Sequence, residues 1–342
     1  MKAIVFHQHG TPEVLKYIEV ADPVIRANEV LVRVKACALN HLDLWVRRGM
    51  PNVPIPLPHI PGSDIAGEVA QIGSEVTTVR VGQKVVLAPV VSCGKCAACV
   101  TGLDNRCRQA TNLGYMIDGG CAEFVRCPEV NCLAYPENLT WEEAASVPLV
   151  FQTAWHMLVD RAQLRPGEDV LILGAGSGVG SAAIQVAKFF GARVITTASS
   201  DAKLEKARQL GADYVINHKT QKIREEVRRI TNKRGVDVVF EHVGAATWDD
   251  SLASLALAGR LVTCGNTTGY DAKLDLRFLF SRQLSLLGSY MGVKSELHTI
   301  MKLVSSGDLK PVVDRVFPLQ EAAAAHTYLE SGQQFGKVVL KA

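Results

Sequence analysis

Four of the nine cysteines lie together in CGKCAACVTGLDNRC, residues 93–107, at gaps of two, two and seven residues. Thiols stay reduced in the cytoplasm, so a tight cysteine cluster in a cytoplasmic protein indicates metal or redox chemistry rather than disulfide bonds. The first twenty residues, MKAIVFHQHGTPEVLKYIEV, lack the long apolar stretch of a signal peptide. We therefore expect a cytoplasmic protein in which this cluster binds a metal.

A glycine-rich segment, GAGSGVG at 174–180, lies between the apolar run DVLIL and the helical stretch SAAIQVAKFF. Such a turn lets backbone N–H groups and a helix N-terminus approach a pyrophosphate closely. The register departs from GxGxxG: counted from Gly174 the third glycine falls on Val179, and counted back from Gly180 the first two fall on Ala175 and Ser177. We predict a dinucleotide site, with a bare strand-to-helix connection as the alternative.

The segment VITTASSDAKLEK indicates which dinucleotide is used. NAD sites usually place an acidic side chain at the end of the second strand, where this chain has Ala198. A carboxylate there would repel a 2′-phosphate, whereas Ser199 and Ser200 offer hydroxyl donors and Lys203 a countercharge. These residues predict NADPH. NADH remains possible, because Lys203 also fits the surface of an amphipathic helix.

Two kinds of element must position these groups. The first half of the chain is β-rich, with segments such as EVLVRVKACAL and GQKVVLAPVV. From about 150 to 290 apolar strands alternate with helices, which predicts right-handed βαβ units and a doubly wound parallel sheet. The tail, 291–342, offers two helices and a strand that such a sheet does not need, so we expect it to return to the N-terminal β domain.

Composition excludes several classes of function. The chain has 342 residues, 48% hydrophobic and 21% charged, as in an ordinary globular protein of about two domains. No apolar run approaches the roughly 18 residues of a membrane span. The net charge of +3 is spread along the chain. Its densest basic stretch, 222–234, contains two adjacent glutamates and has the spacing of a solvated helix face. Nucleic acid and membrane are therefore not expected partners.

Four segments together resemble the medium-chain dehydrogenase/reductase superfamily: PGSDIAGEV, CGKCAACVTGLDNRC, LGAGSGVGSAAIQVAK and FGKVVL. The resemblance covers essentially the whole chain. It implies an α/β fold with a GroES-like β-barrel catalytic domain over 1–149, a Rossmann-type dinucleotide-binding domain over 150–290 and a C-terminal return over 291–342. It also implies an active site in the cleft between domains and a homodimer or homotetramer.

The resemblance assigns Cys93, Cys96, Cys99 and Cys107 to one structural zinc ion per chain. Four thiolates complete a tetrahedral shell and leave no position for water or substrate, so such a site is closed to catalysis. An iron–sulfur cluster is an alternative, but ferredoxin sequences close with a gap of three residues and Cys-Pro, whereas Arg108 follows Cys107 here. Four unligated thiols are the other alternative.

A second, catalytic zinc is not expected. In zinc alcohol dehydrogenases it is held by a Cys, by the His of Gly-His-Glu and by a Cys or Asp near the domain junction. Matched motif by motif, these positions fall on Asn40, Ser63 and about Leu149, and the proton-relay hydroxyl falls on Leu42. An unconventional metal site remains an alternative, since four polar side chains lie near these positions in sequence: His41, Asp43, His59 and Asp64.

Zinc-free relatives, the quinone oxidoreductases and enone reductases, have Asn and Asp at the positions of Asn40 and Asp43. By that resemblance we expect these two residues to be catalytic, with the Asn40 amide polarising a substrate carbonyl. The predicted activity is NADPH-dependent hydride transfer to a quinone or an α,β-unsaturated carbonyl compound. An alcohol or aldehyde dehydrogenase and a non-catalytic NADPH-binding sensor or structural protein are the alternatives.

The resemblance also distributes the cofactor contacts along the chain. It places His41 against the cofactor or in the cleft and His218 near the adenosine. The pyrophosphate residues are Ser177, Gly178, Val179 and Gly180. The residues flanking the nicotinamide are Thr153, Val243, Gly244, Cys264, Gly265 and Asn266.

Overall fold

The computed structural model describes all residues, 1–342, and divides into two compact units. The first unit comprises residues 1–149 and 293–342, and the second comprises residues 150–292. No helix in the structure combines the length and the apolar character that crossing a membrane requires.

Seventeen strands are present, and they are numbered in chain order. They are β1 (Lys2–Val5), β2 (Lys16–Glu19), β3 (Glu29–Leu39), β4 (Asp64–Ile72), β5 (Lys84–Leu87), β6 (Val90–Val91), β7 (Thr111–Asn112), β8 (Phe124–Pro128), β9 (Cys132–Ala134), β10 (Asp169–Ile172), β11 (Arg193–Ala198), β12 (Tyr214–Asn217), β13 (Val236–Glu241), β14 (Leu255–Thr263), β15 (Ser285–Gly288), β16 (Val313–Pro318) and β17 (Lys337–Lys341).

Eleven α-helices accompany them: α1 (His41–Arg48), α2 (Ala97–Val100), α3 (Trp141–Ala145), α4 (Pro148–Trp155), α5 (Gly178–Phe189), α6 (Asp201–Gln209), α7 (Ile223–Ile230), α8 (Trp248–Ser254), α9 (Leu276–Ser281), α10 (Lys294–Ser306) and α11 (Ala322–Glu330). A π-helical segment, His156–Arg161, continues α4. Short 3₁₀ turns lie at Pro12–Val14, Asp104–Arg106, Glu129–Asn131 and Leu319–Glu321.

The first unit is built on a seven-stranded sheet in which six strands follow the order β16-β17-β3-β4-β5-β9 and β8 pairs with β3. The long strand β3 is the centre of this sheet, because its mostly apolar sequence is buried on both faces. Strand β17 runs antiparallel to β3, with Val338 opposite Leu39. The last strand of the chain thus pairs beside one of the first.

The second unit contains a six-stranded parallel sheet in the order β12-β11-β10-β13-β14-β15. This is the strand order of doubly wound dinucleotide-binding folds, which bind ligands where the order reverses, at the carboxyl ends of the central strands. Here the reversal lies between β10 and β13, so the glycine-rich turn and the segment after residue 241 meet at that edge. The predicted parallel α/β architecture is confirmed.

Each unit has its own hydrophobic core, as the chain length led us to expect. In the second unit the core is formed by apolar residues of the parallel strands and of the helices that cover them, including Leu171, Val239 and Leu252. In the first unit it contains apolar residues of the sheet and of the elements packed on it, including Ile65 of β4, Leu44 of α1 and Leu329 of α11. The functional groups described below lie at the ends of strands that these cores hold in place.

Candidate functional site

The glycine-rich turn leads directly from β10 into α5. Ser177 caps the helix: its Oγ accepts a hydrogen bond from the Gly180 N–H at 2.8 Å and donates one to the Gly174 carbonyl at 2.9 Å. A Cβ on Gly180 would lie 2.2 Å from the Gly174 oxygen, so only glycine fits there. The turn is therefore closed by Gly174 and Gly180, and α5 begins within it at Gly178, so the N-terminus of this helix fits a pyrophosphate.

His242 packs beside this turn although the sequence analysis gave it no role. Its Nε2 lies 2.7 Å from the Leu173 carbonyl and therefore carries the proton that it donates there. A Cβ on Gly174 would lie 3.2 Å from the imidazole. Burial lowers the pKa of His242, which keeps the ring neutral beside a site expected to bind a phosphate.

The ends of β11 and β12 carry the groups predicted to read the ribose. Ala198 ends β11, Ser200 caps α6 by accepting from the Lys203 N–H at 3.4 Å, and Ser199 is half-buried between them. Next to β12, desolvation and the charges of Lys219 and Lys203 lower the pKa of His218. Lys219 and Lys203 thus lie close enough to His218 for their positive charges to act on its ring.

Two loops predicted to flank the nicotinamide contact each other at the ends of β13 and β14. The Thr268 N–H donates to the Val243 carbonyl at 2.8 Å, and a Cβ on Gly244 would lie 2.9 Å from the Asn266 Cα. A Cβ on Gly265 would lie 3.0 Å from the His242 carbonyl oxygen. The close packing explains the glycines at these positions, since Gly244 also has φ +95°.

Cys264 and Thr153 are the remaining predicted residues of the second unit. Burial raises the pKa of Cys264 to about 12, so its thiol stays protonated and is not a nucleophile. Thr153 is buried within α4. The expectation that Thr153 and Cys264 lie beside the nicotinamide rests on the family resemblance alone.

Glu241 fixes the loop that contains Val243 and Gly244. Its side chain is fully buried at the end of β13, and its Oε1 accepts from the N–H groups of Val243 and Gly244 at 2.6 and 3.0 Å. The hydroxyls of Thr247 and Ser251 donate to Oε2 at 2.9 and 2.5 Å. One side chain therefore satisfies four donors and fixes the loop that is expected to contact the nicotinamide.

In the first unit, Asn40, Asp64 and Lys337 form a buried polar cluster, here called the lysine cluster. The Lys337 ammonium donates to Asn40 Oδ1 at 2.6 Å and to Asp64 Oδ2 at 2.9 Å. Asn40 Nδ2 donates to the same Asp64 oxygen at 2.9 Å. The other Asp64 oxygen accepts from the Leu149 N–H at 2.8 Å.

Strand register explains why these distant residues meet. Val338 pairs with Leu39, so Lys337 stands opposite Asn40, and Ala38 pairs with Asp64 on the other side of β3. The sequence separations of 297 and 273 residues show that no local pattern could have indicated these contacts.

These residues do not fit a catalytic zinc ion. The three positions carry an amide, a hydroxyl and an alkyl side chain, and the amide oxygen of Asn40 is already bound by the Lys337 ammonium. Ser63 is fully buried, and its Oγ has no hydrogen-bond partner. The alternative ligand set does not form a metal site either. No three of its members bring their ligand atoms within 4.8 Å of one another; the set is His41, Asp43, His59 and Asp64.

Asp43 lies next to the lysine cluster and holds two backbone segments. Its Oδ2 accepts from the Asn40 N–H at 2.7 Å, which closes the first turn of α1, and its Oδ1 accepts from the Gly62 N–H at 3.0 Å. Burial raises the pKa of Asp43 from 3.8 to about 6, against the opposing effects of these N–H groups and Lys337. His41 stacks edge-on against Trp45 in the same helix, with ring centres 5.2 Å apart.

We predict that Asp43→Asn lowers the free energy of unfolding by about 1–3 kcal/mol, because an amide cannot accept hydrogen bonds at both ends. The native state binds the Asp43 proton more tightly than the unfolded chain does, so this group's contribution to stability is lost as pH rises from about 4 to about 6. The deficit of the variant should therefore shrink over that range. Urea unfolding at pH 4.5 and pH 7 measures both effects.

The exposed Glu137, paired with Lys84, supplies the control for this prediction. Glu137→Gln should change stability by less than about 0.5 kcal/mol, since surface ion pairs contribute little. An Asp43→Asn protein that unfolds at the wild-type urea concentration at both pH values would contradict the assigned role.

The four cysteines of residues 93–107 do fit a zinc ion. All four sulfur atoms lie within 4.8 Å of one another, with Cys96 and Cys99 at 3.5 Å. Backbone N–H groups of Lys95 and Cys96 lower the pKa of Cys93 to about 6, which favours a thiolate ligand. The zinc lobe, defined as residues 93–107, would thus hold one ion in a closed shell.

The zinc lobe is also tied to α10. Asp104, between the third and fourth cysteines, accepts from the Lys294 N–H at 3.1 Å and from the Lys294 ammonium at 3.2 Å. The same ammonium donates to Ser92 Oγ at 3.1 Å. Both charged side chains are mostly buried, at 10% and 17% exposure. The lobe therefore contacts the residue at which α10 begins.

Sequence reasoning missed three of the residues that organise these sites: Lys337, Glu241 and His242. Lys337 had one visible indication, since it begins the strand KVVLK, whose three central residues are apolar, and a buried lysine needs a partner. Glu241 likewise ends the apolar run VDVVFE. A charged residue at the end of a buried apolar run was the pattern that could have identified both.

Comparisons with known proteins agree with this architecture. Residues 26–137 match the alcohol dehydrogenase GroES-like domain, and residues 178–306 match the zinc-binding dehydrogenase family. An NAD-dependent alcohol dehydrogenase of Sulfolobus acidocaldarius is 35% identical over 100% of this chain and 99% of its own. A crotonyl-CoA carboxylase/reductase of Cereibacter sphaeroides is 33% identical over 97% of this chain and 84% of its own.

Among solved structures, an NAD-dependent alcohol dehydrogenase superposes with a TM-score of 0.97 at 46% identity, covering 100% of both chains. The predicted combination of a GroES-like domain with a Rossmann-type domain is thereby confirmed, as is the expectation of an oxidoreductase. With a dinucleotide-type turn, a four-cysteine lobe and matches along both units, this chain belongs to the medium-chain dehydrogenase/reductase superfamily.

Proposed function

We propose that this oxidoreductase reduces a quinone or the activated double bond of an α,β-unsaturated carbonyl compound with NADPH, without a catalytic metal. The observation that carries the proposal is the lysine cluster. At the positions of the lost zinc ligands, Asn40 is hydrogen-bonded to the Lys337 ammonium, and Ser63 and Leu149 offer no metal-binding set.

The chemistry of the two substrate classes supports this choice. Alcohol oxidation passes through an alkoxide, whose full charge on one oxygen calls for a Lewis acid. Addition of hydride to a conjugated carbon spreads the charge into an enolate or hydroquinone, which ordinary hydrogen-bond donors stabilise. The Asn40 amide would donate to that developing oxyanion, and the proton that completes the product would come from water or a hydroxyl of the site. The bound nicotinamide would supply the hydride.

Preference for NADPH rests on the ends of β11 and β12. Ala198 brings no carboxylate to repel a 2′-phosphate, and Lys203, Lys219 and His218 lie together there. Desolvation lowers the pKa of His218 most, and a phosphate there would offset the positive charges of Lys219 and Lys203, which lower it further.

The relatives' names favour two activities. Crotonyl-CoA, named in one of them, contains a double bond conjugated to a thioester carbonyl, which is the substrate class proposed here. Two others are named NAD-dependent alcohol dehydrogenases, so oxidation of an alcohol with NAD is the second candidate. The two candidates differ in their requirement for a catalytic metal.

We also propose that the protein is a cytoplasmic homodimer or homotetramer. Thiolate zinc ligands need a reducing compartment. Strand β15 has a neighbour on one side only, and two large apolar side chains of the adjacent helix α9, Leu276 and Phe280, are 66% and 71% exposed. An open edge beside apolar residues is typical of a surface that another chain covers.

One preparation tests these proposals together. We expect oxidation of NADPH with quinones or enones at least about tenfold faster than with saturated aldehydes. The negative charge formed on a conjugated substrate is delocalised, so hydrogen-bond donors stabilise it without a Lewis acid. NADPH should give a higher kcat/KM than NADH, metal analysis should find one zinc ion per chain, and sedimentation should give two or four chains. Two zinc ions per chain, with alcohol oxidation abolished by mild chelation, would instead establish the second candidate.

A further inference from the structure

The amide of Asn40 could be oriented in two ways, and its neighbours select one. With Oδ1 toward Lys337 and Nδ2 toward Asp64, each amide atom faces a group of opposite hydrogen-bonding character, at 2.6 and 2.9 Å. A flipped amide would place its NH₂ group against an ammonium and its oxygen against a carboxylate. The charges of the lysine cluster therefore fix the direction in which Asn40 donates.

In this orientation one of the two Asn40 amide hydrogens is only weakly hydrogen-bonded. Asn40 Nδ2 carries two hydrogens, of which one goes to Asp64 at 2.9 Å and the other has only the Ala38 carbonyl, at 3.5 Å. Asn40 also keeps the largest exposed fraction of the three side chains, 7% against 3% for Lys337 and 0% for Asp64.

We propose that Lys337 is a positioning residue of the active site. Paired with Asp64, it holds the Asn40 amide so that the second Nδ2 hydrogen, which has only the long contact with the Ala38 carbonyl, is available to the substrate oxygen. The inference rests on the proposed function, because it assigns Asn40 the donor role in a reaction without a catalytic metal. Lys337 itself does not touch the substrate. A preorganised donor stabilises developing charge better than a mobile one, since it needs no reorientation during the reaction.

The test is a double-mutant cycle between Lys337→Met and Asn40→Ala, with NADPH oxidation measured on 2-cyclohexen-1-one or 1,4-benzoquinone. Each single variant should lower kcat by roughly 10–100-fold with little change in KM, as expected for loss of a positioned donor. Because Lys337 acts through Asn40, the double variant should be no slower than Asn40→Ala, within about threefold. A kcat loss for Lys337→Met that multiplies with that of Asn40→Ala, or no loss at all, would overturn the proposal.

Folding is controlled in two ways. Lys337→Met leaves the buried Asp64 without its cation, so the cycle is repeated in Asp64→Asn/Lys337→Met, which removes both charges and again should show no further loss on adding Asn40→Ala. Lys341→Met changes the exposed lysine at the other end of β17, whose only ion pair is a 3.7 Å surface contact with Glu142, and should keep the wild-type kcat.

Failure of the proposed function would be recognised separately, in the wild-type protein. A wild type that reduces neither probe, or that needs a second zinc ion, refutes the proposed reaction before any variant is compared. A wild type that reduces a probe with one zinc ion bound, but shows independent effects of Lys337 and Asn40, refutes only the positioning role.

Discussion

Replacing Glu241 by alanine is expected to lower the free energy of unfolding by about 3–5 kcal/mol, because several buried donors lose their only charged acceptor at once. The N–H groups of Val243 and Gly244 and the hydroxyl of Ser251 all donate to this side chain. The Glu241 side chain is fully buried, so water cannot readily replace the lost oxygens. Denaturant unfolding of both proteins measures the difference.

Two further variants and a local measurement sharpen this prediction. Glu241→Gln keeps one acceptor oxygen and should lose roughly half as much stability, whereas Glu225→Ala, on an exposed ion pair with Lys222, should lose less than about 0.5 kcal/mol. Hydrogen exchange at the Val243 and Gly244 amides should accelerate in Glu241→Ala even under native conditions. Unchanged exchange at these two amides would show that the loop is held by other contacts.

Replacing Cys107 by serine is expected to remove zinc from the protein completely, because a fourth thiolate is needed to close the shell. Structural zinc contributes on the order of 10 kcal/mol of binding free energy in small metal-folded domains, so the zinc lobe should unfold locally in the variant. The measurements are the zinc content after dialysis and the thermal unfolding temperature. Cys132→Ser, outside the lobe, should retain one zinc ion per chain.

Loss of zinc should also affect α10, which lies outside the lobe. Asp104 lies within it and binds both the backbone and the ammonium of Lys294, so unfolding of the lobe frees the first turn of α10. We expect faster hydrogen exchange of the Lys294 amide in Cys107→Ser than in the wild type. A variant that keeps its zinc, or loses it while this amide remains protected, would contradict the described contacts.

Sequence patterns were sufficient where structure is local. The apolar runs of the strands, the glycine turn before α5 and the cysteine spacing are each decided by neighbours within about 15 residues. The first two led to correct expectations of element type, and the four cysteine sulfur atoms lie close enough together to fit a metal ion. The cap formed by Ser177 also explains why the glycine register looked irregular. The helix begins after a capping serine, and the glycines that matter are the first and the last of the segment.

Contacts between distant strands were not predictable in this way. Asn40 was expected to be a catalytic donor because relatives have it, but its partner Lys337 lies 297 residues away and is placed by the pairing of β17 with β3. Asp43 was expected to be catalytic for the same reason, whereas both its oxygens are bound by backbone N–H groups. The pairing register of the strands determines which distant side chains become partners, and this register cannot be read from a single sequence.

The pairing of β17 with β3 has a consequence for biosynthesis. A ribosome releases residues 29–39 early, but β17, which pairs with residues 36–39 of β3, begins at Lys337, 297 residues after Asn40. Until then the nascent first unit exposes an unpaired strand edge, and the Asp64 carboxylate has no lysine beside it. The second unit is synthesised as one uninterrupted stretch, so it can fold while the first unit waits for its final strand.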